Sequence, residues 1–120
     1  MKQILIVDDD PDVLEVLKEI VKAYGFEVIA AATARDAIAT LTRQTVDLII
    51  LDLAMPQISG DQFLEFIRKK GSATPVMVVS GHVTPDLEAK VKASGVRVIV
   101  QKPFEVATIV DGMEEAMRRE

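Results

Sequence analysis

The sequence predicts an α/β domain in which five strands alternate with five helices and lie parallel in one sheet. Five short runs rich in Val, Ile and Leu recur along the chain, and stretches with helical spacing separate them. The runs are apolar at consecutive positions, as is typical of strands that a parallel sheet buries on both faces. Short links between alternating elements imply right-handed crossovers and helices on both faces of the sheet.

The predicted strands and helices follow from two different spacings. The strands are "QILIV" (3–7), "EVIAA" (27–31), "VDLIILD" (46–52), "PVMVVS" (75–80) and "RVIVQ" (97–101). Between them, apolar residues recur three and four positions apart and so share one face of a helix. The predicted buried faces are Val13, Leu14, Leu17, Ile20 and Val21; Ala37, Ile38 and Leu41; Phe63, Phe66 and Ile67; Leu87 and Val91; and Val106, Ile109, Val110, Met113 and Met117.

Prolines and glycines indicate where the helices begin and end. Asp10-Pro11 and Thr84-Pro85 each have the pattern of a helix N-cap followed by proline at the first helical position. Three glycines stand where helices are expected to stop, at positions 25, 71 and 95. We expect one domain over residues 1–120, because five such units use up the chain.

Composition narrows the function classes. The formal charge of −5 argues against direct nucleic-acid binding, which needs clustered cations, and the absence of cysteine excludes a thiol nucleophile or a zinc-thiolate site. No apolar run approaches the roughly 20 residues of a membrane span, and the N-terminus does not resemble a signal peptide. We therefore expect a cytoplasmic protein that does not contact the membrane.

Polar residues gather at one predicted edge of the sheet. In an open parallel sheet, ligands bind beyond the carboxyl ends of the strands. Asp8 and Asp9 follow the first strand, Asp52 ends the third, Ser80 ends the fourth and Lys102 follows the fifth. Three carboxylates, a hydroxyl and an ammonium group are thus predicted to lie together.

The acidic residues of this edge predict a metal site. Asp8, Asp9 and Asp52 would raise one another's pKa unless a cation neutralised them. Oxygen ligands without His or Cys suit Mg²⁺, with Mn²⁺ as the alternative. The neighbouring Asp10 is instead assigned to the helix N-cap before Pro11.

The same residues suit phosphoryl transfer, in which catalysis is mostly positioning and charge neutralisation. Carboxylates are known to accept phosphoryl groups as aspartyl phosphates, and Asp52 is the predicted nucleophile. Lys102 is predicted to contact one phosphoryl oxygen as a point charge, and Ser80 to donate a hydrogen bond to another.

Five motifs, in order, resemble those of the response regulator receiver domains of two-component signalling. They are "IVDDD" (6–10), "LDLAMP" (51–56), "ISG" (58–60), "VVSGH" (78–82) and "QKPF" (101–104). The resemblance covers essentially the full chain. It implies a doubly wound, flavodoxin-like sheet of strand order 2-1-3-4-5 between two helical layers.

The resemblance also implies residue roles. Asp8 and Asp9 would be the acidic pair, with Asp9 preferred as the direct metal ligand, and Asp52 the phosphoacceptor. Ala54 would lend its backbone carbonyl to the metal. Ser80 and Lys102 would be the hydroxyl and lysine that meet the phosphoryl group, with a cis bond before Pro103.

Three positions raise questions about the switch. The family usually has Tyr or Phe three residues before the lysine, where this chain has Ile99. The switch would then work through Ser80 alone or through backbone shifts in the loop after strand four. Ala54 and His82 stand two residues after Asp52 and Ser80, and the lifetime of the phosphorylated state should depend on them.

The first functional hypothesis is a phosphorylation switch rather than an enzyme. A histidine kinase or phosphotransfer protein would phosphorylate Asp52, and a downstream protein would read the surface of helix four, strand five and helix five. We expect a monomer or a weak homodimer. The sequence leaves the cognate kinase and the output open, and also whether the chain is part of a longer regulator or hybrid kinase.

Two alternatives stay open. A haloacid-dehalogenase-type phosphatase also begins with an Asp-x-Asp motif after its first strand, here Asp8 and Asp10, although Pro11 departs from that motif. A degenerate receiver would bind partners without being phosphorylated. Ile99 leaves room for that reading, but the complete set of acid, hydroxyl and lysine speaks against it.

Overall fold

Strands and helices alternate throughout residues 1–118, the part of the chain that the computed structural model describes. The strands are β1 (Gln3–Val7), β2 (Glu27–Ala31), β3 (Leu48–Leu51), β4 (Val76–Ser80) and β5 (Val98–Gln101). The helices are α1 (Pro11–Ala23), α2 (Ala34–Arg43), α3 (Gly60–Lys69), α4 (Pro85–Ala93) and α5 (Val106–Met117).

The five strands form one parallel sheet of order β2-β1-β3-β4-β5. This is the predicted flavodoxin-like order, so the predicted fold class is confirmed. The register aligns the carboxyl ends of neighbouring strands, since Val7 of β1 lies beside both Ala31 of β2 and Leu51 of β3. Residues that follow these strands therefore meet at the same edge of the sheet.

Alternate residues of the central strands supply two separate cores. Leu5 and Val7 of β1 belong to the core beneath α2, α3 and α4. Ile4 and Ile6 of the same strand point to the opposite face and pack with α1 and α5. Because both faces are covered, β3 is buried along its whole length, which explains why the central runs are apolar without alternation.

The predicted helix ends are confirmed. Asp10 caps α1 by accepting hydrogen bonds from the backbone of Asp12 and Val13, and Thr84 caps α4 by accepting one from Leu87. The three glycines that follow α1, α3 and α4 have φ between +87° and +91°, a left-handed conformation that only glycine adopts at low cost.

Two predicted core residues are wrong. Phe66 is 41% exposed because Phe63, Leu64 and Ile67 fill the inner face of α3, and the ammonium group of Lys70 lies 5.6 Å from the centre of its ring. Val106 begins α5 and is 50% exposed. Some strand ends also differ, most clearly in β3, which is shorter than the predicted 46–52.

None of the helices within residues 1–118 combines the length and the apolar character that crossing a membrane requires.

Candidate functional site

Four strand ends place the candidate site at the carboxyl edge of the sheet. Backbone hydrogen bonds fix the residue that follows β1, β3 and β5: Asp8 N–H donates to Ala31 O at 3.1 Å, and Asp52 N–H to Val7 O at 2.9 Å. The N–H of Lys102 donates to Ser80 O at 3.1 Å. The sheet itself therefore sets where these side chains start, as the order of the strands predicts.

Three carboxylates come together at this edge. Asp8, Asp9 and Asp52 each offer an oxygen, and these oxygens lie within 4.8 Å of one another. Asp8 and Asp52 are buried, 1% and 5% exposed, whereas Asp9 is exposed. The three acids predicted to bind a metal are thus the three that the structure brings together.

Lys102 lies between the two buried carboxylates. Its Nζ is 2.7 Å from Asp8 Oδ2 and 3.5 Å from Asp52 Oδ2. Partial burial by itself lowers the pKa of Lys102, but the hydrogen bond to Asp8 and the charge of Asp52 outweigh it and raise the pKa above its usual value. The lysine is therefore a fixed positive charge at neutral pH.

A single lysine does not balance the acids around it. Burial raises the pKa of Asp8 above the usual carboxyl value, and the charge of Asp52 acts in the same direction. Hydrogen bonds from Lys102 and from the N–H of Asp10 oppose this rise without cancelling it. The cluster thus keeps an excess of negative charge that a further cation would neutralise.

A cluster of three carboxylates with a single lysine as counter-ion is suited to bind a hard divalent cation. Asp8, Asp9 and Asp52 supply only carboxylate oxygens, the ligands that Mg²⁺ prefers, and the exposure of Asp9 keeps one side of the cluster open to water. The donor set therefore fits the predicted metal.

Two backbone donors orient the remaining groups. The N–H of Ala54 points at Asp52 Oδ1, 3.4 Å away, and the N–H of His82 donates to the Ser80 hydroxyl at 3.3 Å. Ser80 is fully buried at the end of β4, and within residues 1–118 its hydroxyl makes no side-chain contact with Asp52 or Lys102 short enough for a hydrogen bond. Its part in phosphoryl binding, like that of the Ala54 carbonyl, stays a prediction.

Two of the three positions that raise questions about the switch differ in their exposure. His82 is exposed, and Ile99 is half-buried against the core beneath α2, α3 and α4. The Lys102-Pro103 bond is cis, as the resemblance to receiver domains implies.

Gly60 is a residue of the site that sequence reasoning gave no role of its own. It begins α3, and its N–H donates to Leu53 O at 3.0 Å. A Cβ at this position would overlap the carbonyl oxygen of Asp52 and lie 2.7 Å from Leu53 Cα. Only glycine lets α3 start this close to the segment that carries Asp52, and the motif "ISG" was the one indication of it.

Comparison with known families gives one match over nearly the whole chain. A family model described as response regulator receiver domain matches residues 4–114. The transcriptional regulatory protein PrrA of Mycobacterium tuberculosis is 32% identical over 117 residues, which are 98% of this chain and 50% of that protein. The Regulator of RpoS of Escherichia coli is 38% identical over 102 residues, 85% of this chain and 30% of that protein. The chain thus spans half or less of the length of these curated relatives.

Solved structures agree with the architecture. The chemotaxis protein CheY4 of Vibrio cholerae superposes with a TM-score of 0.90 at 27% identity, covering 97% of this chain and 98% of that one. A CheY-like receiver domain from Methanospirillum hungatei superposes with a TM-score of 0.92 at 27% identity, covering 98% and 94% of the two chains.

Proposed function

Because the chain belongs to the response regulator receiver family, we propose that it is a phosphorylation switch whose phosphoacceptor is Asp52. The observation that carries this proposal is the position of Lys102 Nζ between Asp8 and Asp52, with Asp9 completing the acidic cluster. A structural ion pair would need only one acid. A second buried carboxylate beside the same lysine leaves one acid available for chemistry.

Asp52 would act as the nucleophile. A carboxylate oxygen of Asp52 attacks the phosphorus of a phosphohistidine on the kinase, a P–O bond forms and the P–N bond breaks. The Ala54 N–H faces Oδ1 of Asp52, whereas Lys102 Nζ faces Oδ2. Lys102 would then contact one phosphoryl oxygen and neutralise part of the negative charge of the phosphoryl group. Ser80 would donate a hydrogen bond to another phosphoryl oxygen.

Asp8, Asp9 and Asp52 would hold Mg²⁺, with the carbonyl of Ala54 as a further ligand. When bound, the ion supplies positive charge beside the phosphoryl oxygens and offsets the repulsion between incoming phosphate and resident carboxylates. Asp8 and Asp9 contribute by keeping their carboxylates within reach of Asp52.

The consequence of phosphorylation would be a population shift at the surface formed by α4, β5 and α5. A histidine kinase or phosphotransfer protein would be the donor, and a downstream protein the reader. Since Ile99 replaces the usual aromatic residue, the shift would be carried by Ser80 and by the loop between β4 and α4. A cytoplasmic location belongs to the same proposal.

The phosphatase alternative has less support. Its motif would need Asp10 beside Asp8 as a catalytic carboxylate. Asp10 Oδ1 instead accepts from the backbone N–H groups of Asp12 and Val13 at 2.9 and 3.4 Å, and Asp10 lies outside the carboxylate cluster. A residue occupied in capping α1 is poorly placed for acid–base work.

The decisive experiment is incubation with acetyl phosphate and Mg²⁺, followed by intact mass measurement. We expect a gain of one phosphoryl group in the parent protein and in Asp10→Asn, which keeps a capping side chain, but none in Asp52→Asn. An unmodified parent protein would support the degenerate receiver. Turnover of a small phosphate ester that requires Asp8 but not Asp52 would support the phosphatase.

A further inference from the structure

Helix α4 is held to the domain more loosely than its neighbours. Val91 is its one buried residue, and Leu87 is half-buried against the core, whereas α3 buries four residues and α5 another four. Few apolar contacts mean a low free-energy cost for local opening. The polar contacts between α4 and α3 therefore contribute a large share of the free energy that holds α4 in place.

The C-terminal end of α4 is firmly attached. Arg68 of α3 donates from Nε to the carbonyl of Ser94, the C-cap of α4, at 2.8 Å. Its Nη1 donates to the carbonyls of Ser72 and Thr74 at 3.1 and 2.8 Å. A partly buried guanidinium shared by three carbonyls ties this end of α4 to the loop before β4.

A second contact joins the two helices further toward the site. Lys90 Nζ of α4 lies 3.0 Å from Asp61 Oδ2 of α3. Among the ion pairs formed within residues 1–118, this is the one that links two different helices. The Asp61 side chain is 12% exposed and that of Lys90 48%, so the acid is largely buried and the lysine side chain is in contact with water.

Asp61 is also tightly connected to the phosphoacceptor segment. It follows Gly60, whose N–H bonds to Leu53 O at 3.0 Å and whose Cα leaves no room for a Cβ against Asp52. A backbone shift at residues 52 and 53 is therefore passed to the first turn of α3 rather than absorbed by free space. A series of contacts therefore connects Asp52 to Lys90, through Gly60 and Asp61.

From this arrangement we propose that the Asp61–Lys90 ion pair restrains α4 in its resting position and couples that position to Asp52. When the pair breaks, α4 pivots about its end at Ser94, which Arg68 retains. The restraint itself is a property of the unphosphorylated domain, and the coupling to Asp52 rests on the proposed function. By linkage, a contact that favours the resting position must lower the population of the state that accepts the phosphoryl group.

Hydrogen exchange of the α4 backbone amides in unphosphorylated protein tests the restraint. Lys90→Gln and Asp61→Asn are each expected to speed exchange in α4 by about two- to five-fold, the size that a partly exposed ion pair supports. Lys90→Arg, which keeps the charge, should behave as the parent protein. The matched control is Lys92→Gln, which breaks the pair of Lys92 with Glu88 inside α4 and leaves the link to α3 intact.

A double-mutant cycle separates the ion pair from a simpler role of Asp61. An acid in the first turn also stabilises α3 through the helix dipole. If the pair is the restraint, the double variant Asp61→Asn/Lys90→Gln exchanges no faster in α4 than either single variant. Additive effects, or exchange in Lys90→Gln equal to that of the parent protein, would overturn the restraint.

Phosphorylation by acetyl phosphate tests the coupling. Lys90→Gln is expected to be phosphorylated about two- to five-fold faster than the parent protein, and Lys92→Gln at the parent rate. An unchanged rate in Lys90→Gln, despite faster exchange in α4, would overturn the coupling. If the parent protein is not phosphorylated at all, the proposed function fails, while the exchange measurements still decide the restraint.

Discussion

Replacing Gly60 with alanine is expected to destabilise the domain and to displace Asp52, because the start of α3 has no space for a Cβ. The added methyl group would overlap the carbonyl oxygen of Asp52 and lie 2.7 Å from Leu53 Cα and 2.9 Å from Asp52 C. Ordinary contacts of a Cβ are 3.4–4 Å long. The three atoms belong to the backbone, so relief requires α3 and the loop to separate by about 1 Å.

The expected cost follows from three contributions. Overpacking of this kind costs about 1–3 kcal/mol of unfolding free energy. Loss of the hydrogen bond from Gly60 to Leu53 adds about 1 kcal/mol, and the lower backbone entropy of alanine in the unfolded chain returns up to about 1 kcal/mol. The net loss should be about 1–4 kcal/mol. Phosphorylation of Asp52 should slow by at least about ten-fold, because positioning limits this chemistry.

Urea unfolding and the acetyl phosphate assay measure the two effects. Gly81→Ala is the matched control, because Gly81 borders the same site, has no positive φ, and meets only Lys102 Cβ, at 3.9 Å. It should change the unfolding free energy by less than about 0.5 kcal/mol. If Gly60→Ala unfolded at the same urea midpoint as the parent protein, the reasoning from this backbone contact would be refuted.

Three further predictions concern single side chains. Asp10→Ala should cost about 1 kcal/mol of unfolding free energy through the lost cap of α1 and leave Mg²⁺ affinity nearly unchanged. Asp9→Ala should instead weaken Mg²⁺ binding with little loss of stability. Titration calorimetry measures the affinity and urea unfolding the stability, and the reverse pattern would assign the metal to Asp10. Lys102→Met should lose about 1–3 kcal/mol of unfolding free energy, because two buried carboxylates are left without their cation. Mg²⁺ should raise the melting temperature of this variant more than that of the parent protein. Equal shifts in melting temperature would contradict the excess of negative charge in the cluster. Burial alone raises the pKa of Asp61, but hydrogen bonds from a neighbouring serine and from Lys90 lower it below the usual 3.8. A carboxyl group with a lowered pKa stabilises the fold above pH 3.8, and this stabilisation is lost as the pH falls through the pKa of the folded state. The difference in stability between the parent protein and Asp61→Asn should therefore be constant near neutral pH and disappear below pH 3.8. A difference that persists at that low pH would show that charge is not its cause.

Local patterns were enough to predict the alternation of strands and helices. The apolar runs, the N-cap and proline pairs and the helix-ending glycines depend on contacts within a few residues, and these the sequence states directly. The rule that the carboxyl ends of parallel strands meet at one edge then predicts that five side chains lie together: Asp8, Asp9, Asp52, Ser80 and Lys102. The order of the strands came from the resemblance to a family, not from the patterns.

Periodicity could not decide the burial of individual side chains. Phe66 fits the helical spacing of the inner face of α3 but lies at its border, since Leu64, which the pattern left out, takes the inward position. Val106 fits the spacing of α5 but stands at its first turn, beyond the edge of the core. Burial at such positions depends on where the neighbouring element ends, which no local pattern records.

The sequence by itself determined which residues meet at the carboxyl edge of the sheet, because strand order and strand ends place them there whatever the details of packing. The tertiary structure alone decided how they interact: that Lys102 bonds more closely to Asp8 than to Asp52, that Asp8 has a raised pKa, and that α3 starts against the carbonyl of Asp52. It also decided that Asp61 meets Lys90, 29 positions further along the chain. Distances of a few ångströms between residues far apart in sequence depend on the packing of whole helices against the sheet, and this packing is fixed only when the entire domain has folded.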